Sequence, residues 1–548
     1  MNSESQKASI NLKTKLVLVV DDFFNFRLTM KTMLRSFGLN YIDDASNGEE
    51  AIKKLSQRRY DIVLCDYNLG PGKSGQQVLE EAKFREYINY SSIFIMVTAE
   101  NTLDMIMGAA EYEPDDYLMK PFAKEVLAKK ITNLVEKKDN LKGIEKRLKE
   151  HDYFHAIKLC DELMDKSPRN ISELMKLKGE ILLKKGSYQE AAEFYEKVLL
   201  MGNVIWAELG RGKANFMLGK YEEAKKIFEN IIAKNNKMMP AYDYLAKTMI
   251  KMNVPLEAQQ VLMRATSISP KAILRQKDLG NIAFTNEDYS TAETSFKSAV
   301  DQGKTSCFKS PSDYTNLAKT LVQRDASEEG LAVLGDALKV FPKSSDARLH
   351  VSITESYVYK KMNKNEEATK AMAEAIKLSK ELDGEISTEI MLDLAKAHII
   401  MGEKDKGTEM LKNIVRGNHD NDDMLDNVRH IFKEAGMEDK GDKIIETARA
   451  EIIKLNDEGV KLAQDGKLTE AIAYFEEAAT KLPENKIINA NAAQVLMLYM
   501  KEKGINEQKL DNAKKYLDRV RKIDETYRDI PLLLSMYREL VPEVNDGQ

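Results

Sequence analysis

The sequence predicts an α/β domain built on a five-stranded, doubly wound parallel sheet, followed by an all-α repeat solenoid. Three observations carry this expectation. Five short apolar runs alternate with segments of helical spacing up to about residue 137, and strand-like runs then cease. Beyond that point a pattern of small and aromatic residues recurs with separations of 35, 33, 34 and 34 residues. At 548 residues the chain also exceeds what one hydrophobic core holds together.

The runs KLVLVV (15–20), YIDDA (41–45), DIVLC (61–65), SIFIMV (92–97) and DYLM (116–119) read as strands. Between them, residues 26–37, 49–58 and 123–136 carry apolar side chains at helical spacing. Such alternation implies a parallel sheet whose ligand site lies beyond the carboxyl ends of its strands. Asp21 and Asp22 follow the first run, Asp66 the third, Thr98 the fourth, and Lys120 with Pro121 the fifth. Each alone reads as a solvated strand end or turn. Together they place three carboxylates, a hydroxyl and an ammonium at one sheet edge, and mutual placement is what marks a site.

The stretch CDYNLGPGKSG (65–75) admits two phosphate chemistries. A phosphate-cradling loop needs Gly-x-x-x-x-Gly-Lys-Ser/Thr. Gly72-Lys73-Ser74 would require glycine at 67, where Tyr67 stands, so the spacing rejects it. The carboxylate reading explains more. Three acids held together repel, and a hard divalent cation with oxygen ligands, Mg²⁺, keeps them ionised. Asp66 then attacks phosphorus, while Mg²⁺ and Lys120 neutralise the equatorial oxygens and Thr98 donates its hydroxyl.

Through VLVVDDFFNFR (17–27), DIVLCDYNL (61–69), MVTAE (96–100) and DYLMKPF (116–122), residues 15–137 resemble the receiver domain of bacterial two-component response regulators, of chemotaxis type. The resemblance implies a flavodoxin-like fold with Asp66 as phospho-acceptor. It implies Asp21, Asp22, Asp66 and the backbone carbonyl of Asn68 as Mg²⁺ ligands, Lys120 as the catalytic lysine, and Thr98 with Tyr117 as the switch. Asn68 and Glu100 fall where the family tunes the lifetime of the phosphoryl group. The segment YNLGPGKS before Gly75 is one residue longer than the family spacing, with Gly70 inserted before Pro71.

In the second region the recurring pattern is Gly or Ala, then nine residues to a Tyr or similar, then Ala with an aromatic or Leu four later. Residues 178–199, 211–232, 279–300 and 458–479 superpose without gaps. Small anchors fall at Ala156, Ala191, Ala224, Ala258, Ala292, Gly330, Ala368, Gly407, Gly441, Ala471 and Ala513. The period resembles tetratricopeptide repeats, helix–turn–helix units of about 34 residues. Tyr188, Tyr221 and Tyr289 are expected to pack across helix pairs, and Leu209, Ala214, Phe216 and Met217 to form inter-helix core. Pro168, Pro270, Pro342 and Pro483 follow the second helices, where proline cannot continue a helix. Later spacings near 38, and 42 before Ala513, imply longer helices or insertions. The resulting domains are a tail (1–14), the receiver-like domain (15–137), a helical linker (138–150), a solenoid of about eleven units (151–540) and a C-terminal tail (541–548).

Hydrophobic residues make up 43% and charged residues 31% of the chain, with a net charge of -5, so a dedicated nucleic-acid binder is not expected. No apolar run reaches the length of a membrane span, the N-terminal stretch carries no secretory h-region, and a cytoplasmic location follows. Cys65, Cys160 and Cys307 lie too far apart for a metal-spaced pair. His151 and His155 share a face only if one helix carries both, and no third ligand accompanies them. Trp206 reads as core, and the charged stretch 136–152 as a solvated helical link.

These readings converge on a phosphorylation-controlled interaction protein. A histidine kinase or histidine phosphotransfer protein is the expected donor to Asp66, and the repeat groove is expected to hold a protein or peptide, with homodimerisation compatible with this architecture. No enzymatic activity is expected beyond self-catalysed phosphorylation and dephosphorylation. A constitutive scaffold using the receiver for docking or as a phosphate sink is the alternative. A DNA-binding regulator and a phosphatase are weaker rivals, for want of a basic reader helix and of a clustered catalytic motif.

Overall fold

The computed structural model describes residues 12–99, 114–166, 170–382, 386–524 and 527–541. The chain forms two compact units, Met1–Asp313 and Tyr314–Gln548. Among the described residues no helix is long and apolar enough to cross a membrane.

The first unit begins with strands β1 (Leu16–Val20), β2 (Tyr41–Ala45), β3 (Ile62–Asp66), β4 (Ile93–Thr98) and β5 (Asp116–Met119). Helices α1 (Phe24–Ser36), α2 (Gly48–Gln57) and α3 (Gly75–Phe84) separate the earlier strands, and helix Lys124–Lys138 follows β5. The sheet runs β2-β1-β3-β4-β5, every pair parallel. Strands β3 and β4 are buried along their whole length because both faces are covered, which is why they read as continuous apolar runs. Alternate side chains serve opposite layers. Leu18, Val20, Val63, Cys65, Phe94 and Met96 meet Ala51, Leu55, Val78 and Leu79 of α2 and α3. Val17, Val19, Ile62, Leu64, Ile95 and Val97 meet Met30 and Leu34 of α1 and Leu127, Ile131 and Val135 of helix Lys124–Lys138. Leu12–Thr14, within the expected tail, is a short helical turn whose Leu12 packs on this second layer.

Only helices follow residue 124 among the described residues. Every anchor from Ala156 to Ala471 is the fourth residue of its helix, and its neighbours explain the repeat pattern. The ring four residues after an anchor sits against a glycine of the preceding helix. A Cβ at Gly212 would lie 2.5 Å from the Phe228 ring, and one at Gly280 would lie 2.6 Å from Phe296. Tyr221 packs on Phe216 with centroids 5.7 Å apart, and Tyr289 on Phe284 at 5.5 Å, across their helix pairs. Spacings near 38 reflect lengthened helices such as Ser345–Lys361 and Asn365–Glu381, of 17 residues each. Pro168 lies outside the described residues.

Several expectations need correction. The connector is helical but not uniformly solvated: Ile144 and Glu145 are buried, and Glu145 accepts from Asn89 at 2.6 Å and Ser91 at 2.7 Å. The shared histidine face does not form, because the helix begins at Tyr153 and His151 precedes it with φ of +53°. Ala214 is buried and Leu209 and Phe216 pack on the core, but Met217 is 46% exposed. Trp206 packs, half-buried, on the core around Tyr195 and Val198, as its core reading expects.

Candidate functional site

Parallel register brings the carboxyl ends of β1 and β3 together, with Val20 level with Cys65, so Asp21 and Asp66 emerge side by side. Both are buried, while Asp22 faces solvent. One carboxylate oxygen from each of Asp21, Asp22 and Asp66 lies within 4.8 Å of the others. Lys120, directly after β5, donates to Asp21 Oδ2 at 2.7 Å and pairs with Asp66 Oδ2 at 3.1 Å. Its ammonium stands 4.1 Å from the centroid of the Phe26 ring, which packs edge-on against Phe122. An aromatic face and two carboxylates therefore hold one cation in place.

Thr98 ends β4 and is buried, and its carbonyl accepts the Lys120 N–H at 2.7 Å. Tyr117 on β5 is half-buried and packs on the layer beneath α2 and α3. Asn68 is exposed in the loop after β3, where its Oδ1 accepts from the Gly70 N–H at 3.3 Å. Glu100, and the fourth helix of the expected fold between β4 and β5, lie outside the described residues.

The Asp66 carboxyl is raised to about 6, chiefly by burial and further by the charges of Asp21 and Asp22, with Lys120 working against both. Crowded carboxylates of this kind suit a hard cation, whose charge removes their mutual repulsion. The donor set is all oxygen and fits Mg²⁺.

The loop that presents the acidic pair is braced by a residue the sequence reading did not single out. Arg27 donates to the backbone carbonyls of Asp21 at 2.6 Å and Asp22 at 3.2 Å, and its Nε reaches Asp44 at 2.9 Å. A signal was available: Arg27, Met30 and Leu34 form the buried stripe of α1, and a basic residue on such a stripe needs a polar partner. Burial works to raise the Asp44 carboxyl, but its bonds to Lys31 and Arg27 outweigh that and hold it below the usual range. Gly75 was noted only for its spacing. At the start of α3 it lies so close to Asp66 that a Cβ there would stand 2.1 Å from the Asp66 carbonyl oxygen.

The response regulator receiver domain model matches residues 17–132. The chemotaxis protein CheY of Pseudomonas aeruginosa is 33% identical over 121 residues, 22% of this chain and 96% of that protein. The chain belongs to the response regulator receiver family. CheY-3 of Vibrio cholerae is 31% identical to this receiver over 125 residues, 23% of this chain and 95% of that protein. Tetratricopeptide repeat models match residues 174–201, 206–235 and 353–382 of the region behind the receiver. Among solved structures, the response regulator protein TrrA of Thermotoga maritima, in complex with Mg²⁺ and BeF, is 34% identical, covering 22% of this chain and 98% of that one, with a TM-score of 0.19. The C-terminal part of a repeat protein of Cytophaga hutchinsonii is 15% identical over 46% of this chain and 99% of that one, with a TM-score of 0.33.

Proposed function

We propose that Asp66 accepts a phosphoryl group from a histidine kinase or histidine phosphotransfer protein, and that its phosphorylation state governs how the repeat solenoid holds a protein or peptide partner in the cytoplasm. One observation carries the assignment: Asp21, Asp22 and Asp66 converge within 4.8 Å, and Lys120 binds two of them. Asp21, Asp22, Asp66 and the Asn68 carbonyl would hold Mg²⁺, which supplies positive charge to the phosphoryl oxygens.

The chain's own residues do the rest. An Asp66 carboxylate oxygen attacks phosphorus, the P–N bond to the donor imidazole breaks, and the electron pair leaves with the ring nitrogen. Lys120 neutralises charge on the transferred group, and the Thr98 hydroxyl donates to one of its oxygens. The product carries roughly -1.5 to -2 charges where a single carboxylate stood. Lys120 and Thr98 turn towards that charge, Tyr117 moves into the space Thr98 leaves, and the β5 surface repacks.

Incubation with acetyl phosphate and Mg²⁺ tests the acceptor. Wild type incorporates phosphate and Asp66→Asn does not. Equal incorporation by the variant removes Asp66 from the role.

A further inference from the structure

Within the first unit, the loop after β3 and helix α3 meet a short segment of the solenoid just after helix Tyr289–Gly303. The Lys73 ammonium donates to the Thr305 carbonyl and pairs with Glu81 at 3.1 Å. Gln77 Nε2 donates to the Thr305 hydroxyl oxygen at 3.1 Å, and that hydroxyl lies 3.2 Å from Gln77 Oε1. At the far end of α3, the Phe84 ring packs on Phe308 with centroids 5.0 Å apart. Gln76 and Glu81 of α3 are each 5% exposed, and the Lys73 side chain is 15% exposed. The polar groups that reach the solenoid are Lys73 and Gln77, both onto Thr305.

The same loop is tied to the phosphorylation site at its other end. Tyr67, next to Asp66, accepts the Gly75 N–H at 2.9 Å, and Gly75 lies against the Asp66 carbonyl. Gly70 lies near the Asp22 carboxylate, and a Cβ at that position would stand 3.7 Å from Asp22 Oδ2. Lys73 is the only charged residue between 67 and 74, and Gly70 and Gly72 adopt φ of +74° and +101°, a backbone that side chains rarely allow. Ser74 and Gln77 form a reciprocal cap, so the residue that binds Thr305 also fixes where α3 begins. Nearer the start of the solenoid, burial raises the Glu180 carboxyl, while Lys176, Lys213 and Lys83 of α3 work to lower it.

We infer, resting on the reading of Asp66 as phospho-acceptor, that the solenoid segment 304–308 is the docking surface for the β3–α3 loop of the unphosphorylated receiver, and that phosphorylation releases it. The route from Asp66 to the repeats then runs through Lys73 and Gln77 to Thr305, on the α3 side of the sheet. A group added at Asp66 reorders the loop between Tyr67 and Ser74 and withdraws Lys73 and Gln77 from Thr305. Linkage makes the coupling reciprocal: if phosphorylation weakens the contact, cutting the contact favours the phosphorylated form.

Hydrogen exchange on the full chain, with and without Mg²⁺ and beryllofluoride as a phosphoryl mimic, reads both ends at once. The expected result is altered protection at 66–75 together with lost protection at 303–309. Altered protection at 66–75 with unchanged or increased protection at 303–309 overturns the docking inference and leaves Asp66 as acceptor. No response at either segment removes the acceptor reading, and the inference with it. Thr305→Val and Phe308→Ala remove the Gln77 and Phe84 contacts from the solenoid side, leaving Lys73 only the Thr305 backbone carbonyl and the acidic site untouched. Together they are expected to raise beryllofluoride affinity roughly fivefold or more, and an unchanged affinity overturns the coupling.

Discussion

Gly75→Ala places a methyl group where the structure has no room. The new Cβ would lie 2.1 Å from the Asp66 carbonyl oxygen, 2.9 Å from its carbonyl carbon and 3.1 Å from Tyr67 Cα, all of them backbone atoms. Reaching the 3.4 Å of ordinary contact requires the oxygen and the start of α3 to separate by about 1.3 Å, the difference between 3.4 and 2.1. No flexible side chain can absorb that shift, and Gly75 sits at a helix start where alanine is conformationally acceptable, so the penalty is steric. Overpacking of this kind costs about 1–3 kcal/mol. Because the displaced carbonyl belongs to the residue proposed as acceptor, a misplacement of about 1 Å is expected to slow phosphoryl transfer by about 10²-fold. Urea unfolding and the rate of phosphate incorporation from acetyl phosphate measure the two effects. Gly335→Ala is the control, since nothing lies within 4 Å of its Cβ position inside a helix, and it should be neutral or mildly stabilising. A Gly75→Ala protein that unfolds with wild type and incorporates phosphate at the wild-type rate would refute the packing argument.

Two predictions concern the solenoid. Arg275 is buried, with its side chain 1% exposed, and forks onto Asp243 at 2.7 and 2.8 Å. Asp243→Ala removes that carboxylate from an enclosed guanidinium and is expected to destabilise the first unit by about 3 kcal/mol; a urea-unfolding loss below about 1 kcal/mol would contradict it. In the second unit His419 is buried and its Nδ1 lies 3.1 Å from Asn485 Nδ2, a donor, which favours the neutral ring. Burial lowers its pKa from the ordinary 6.5, Asp420 works to raise it, and Arg449 and Lys486 lower it further. Below 6.5 the unfolded chain therefore binds more protons at this position than the folded chain, and stability falls as pH falls through that value. The stability difference between wild type and His419→Gln should shrink from pH near 7.5 to pH near 5.5, in thermal unfolding of the full chain. A difference independent of pH would sink the assignment.

Local patterns in the sequence determined much of this protein. Strand runs at 15–20, 41–45, 61–65, 92–97 and 116–119 lie within a residue of the observed strands; burial on both sheet faces leaves an unbroken apolar signature in the central β1, β3 and β4, while the edge strands β2 and β5 are only partly buried. The acidic edge was legible because the residue that ends a parallel strand stands at the sheet's ligand edge whatever the loops do. Small anchors marked the repeat helices because each must admit a neighbouring backbone or ring. Other features needed the folded chain. Helix Glu438–Gln464 runs 27 residues through what the repeat pattern divides between Gly441 and the unit anchored by Ala471, since its sequence offers no glycine or proline between those helices to force a turn. Arg27 gained its role only when the turn after β1 directed two carbonyls at it. The meeting of Lys73 with Thr305 joins residues 232 apart in sequence. Periodicity describes which face of each helix is buried, but where a distant repeat arrives depends on small rotations accumulated from unit to unit, and only the tertiary structure contains that sum.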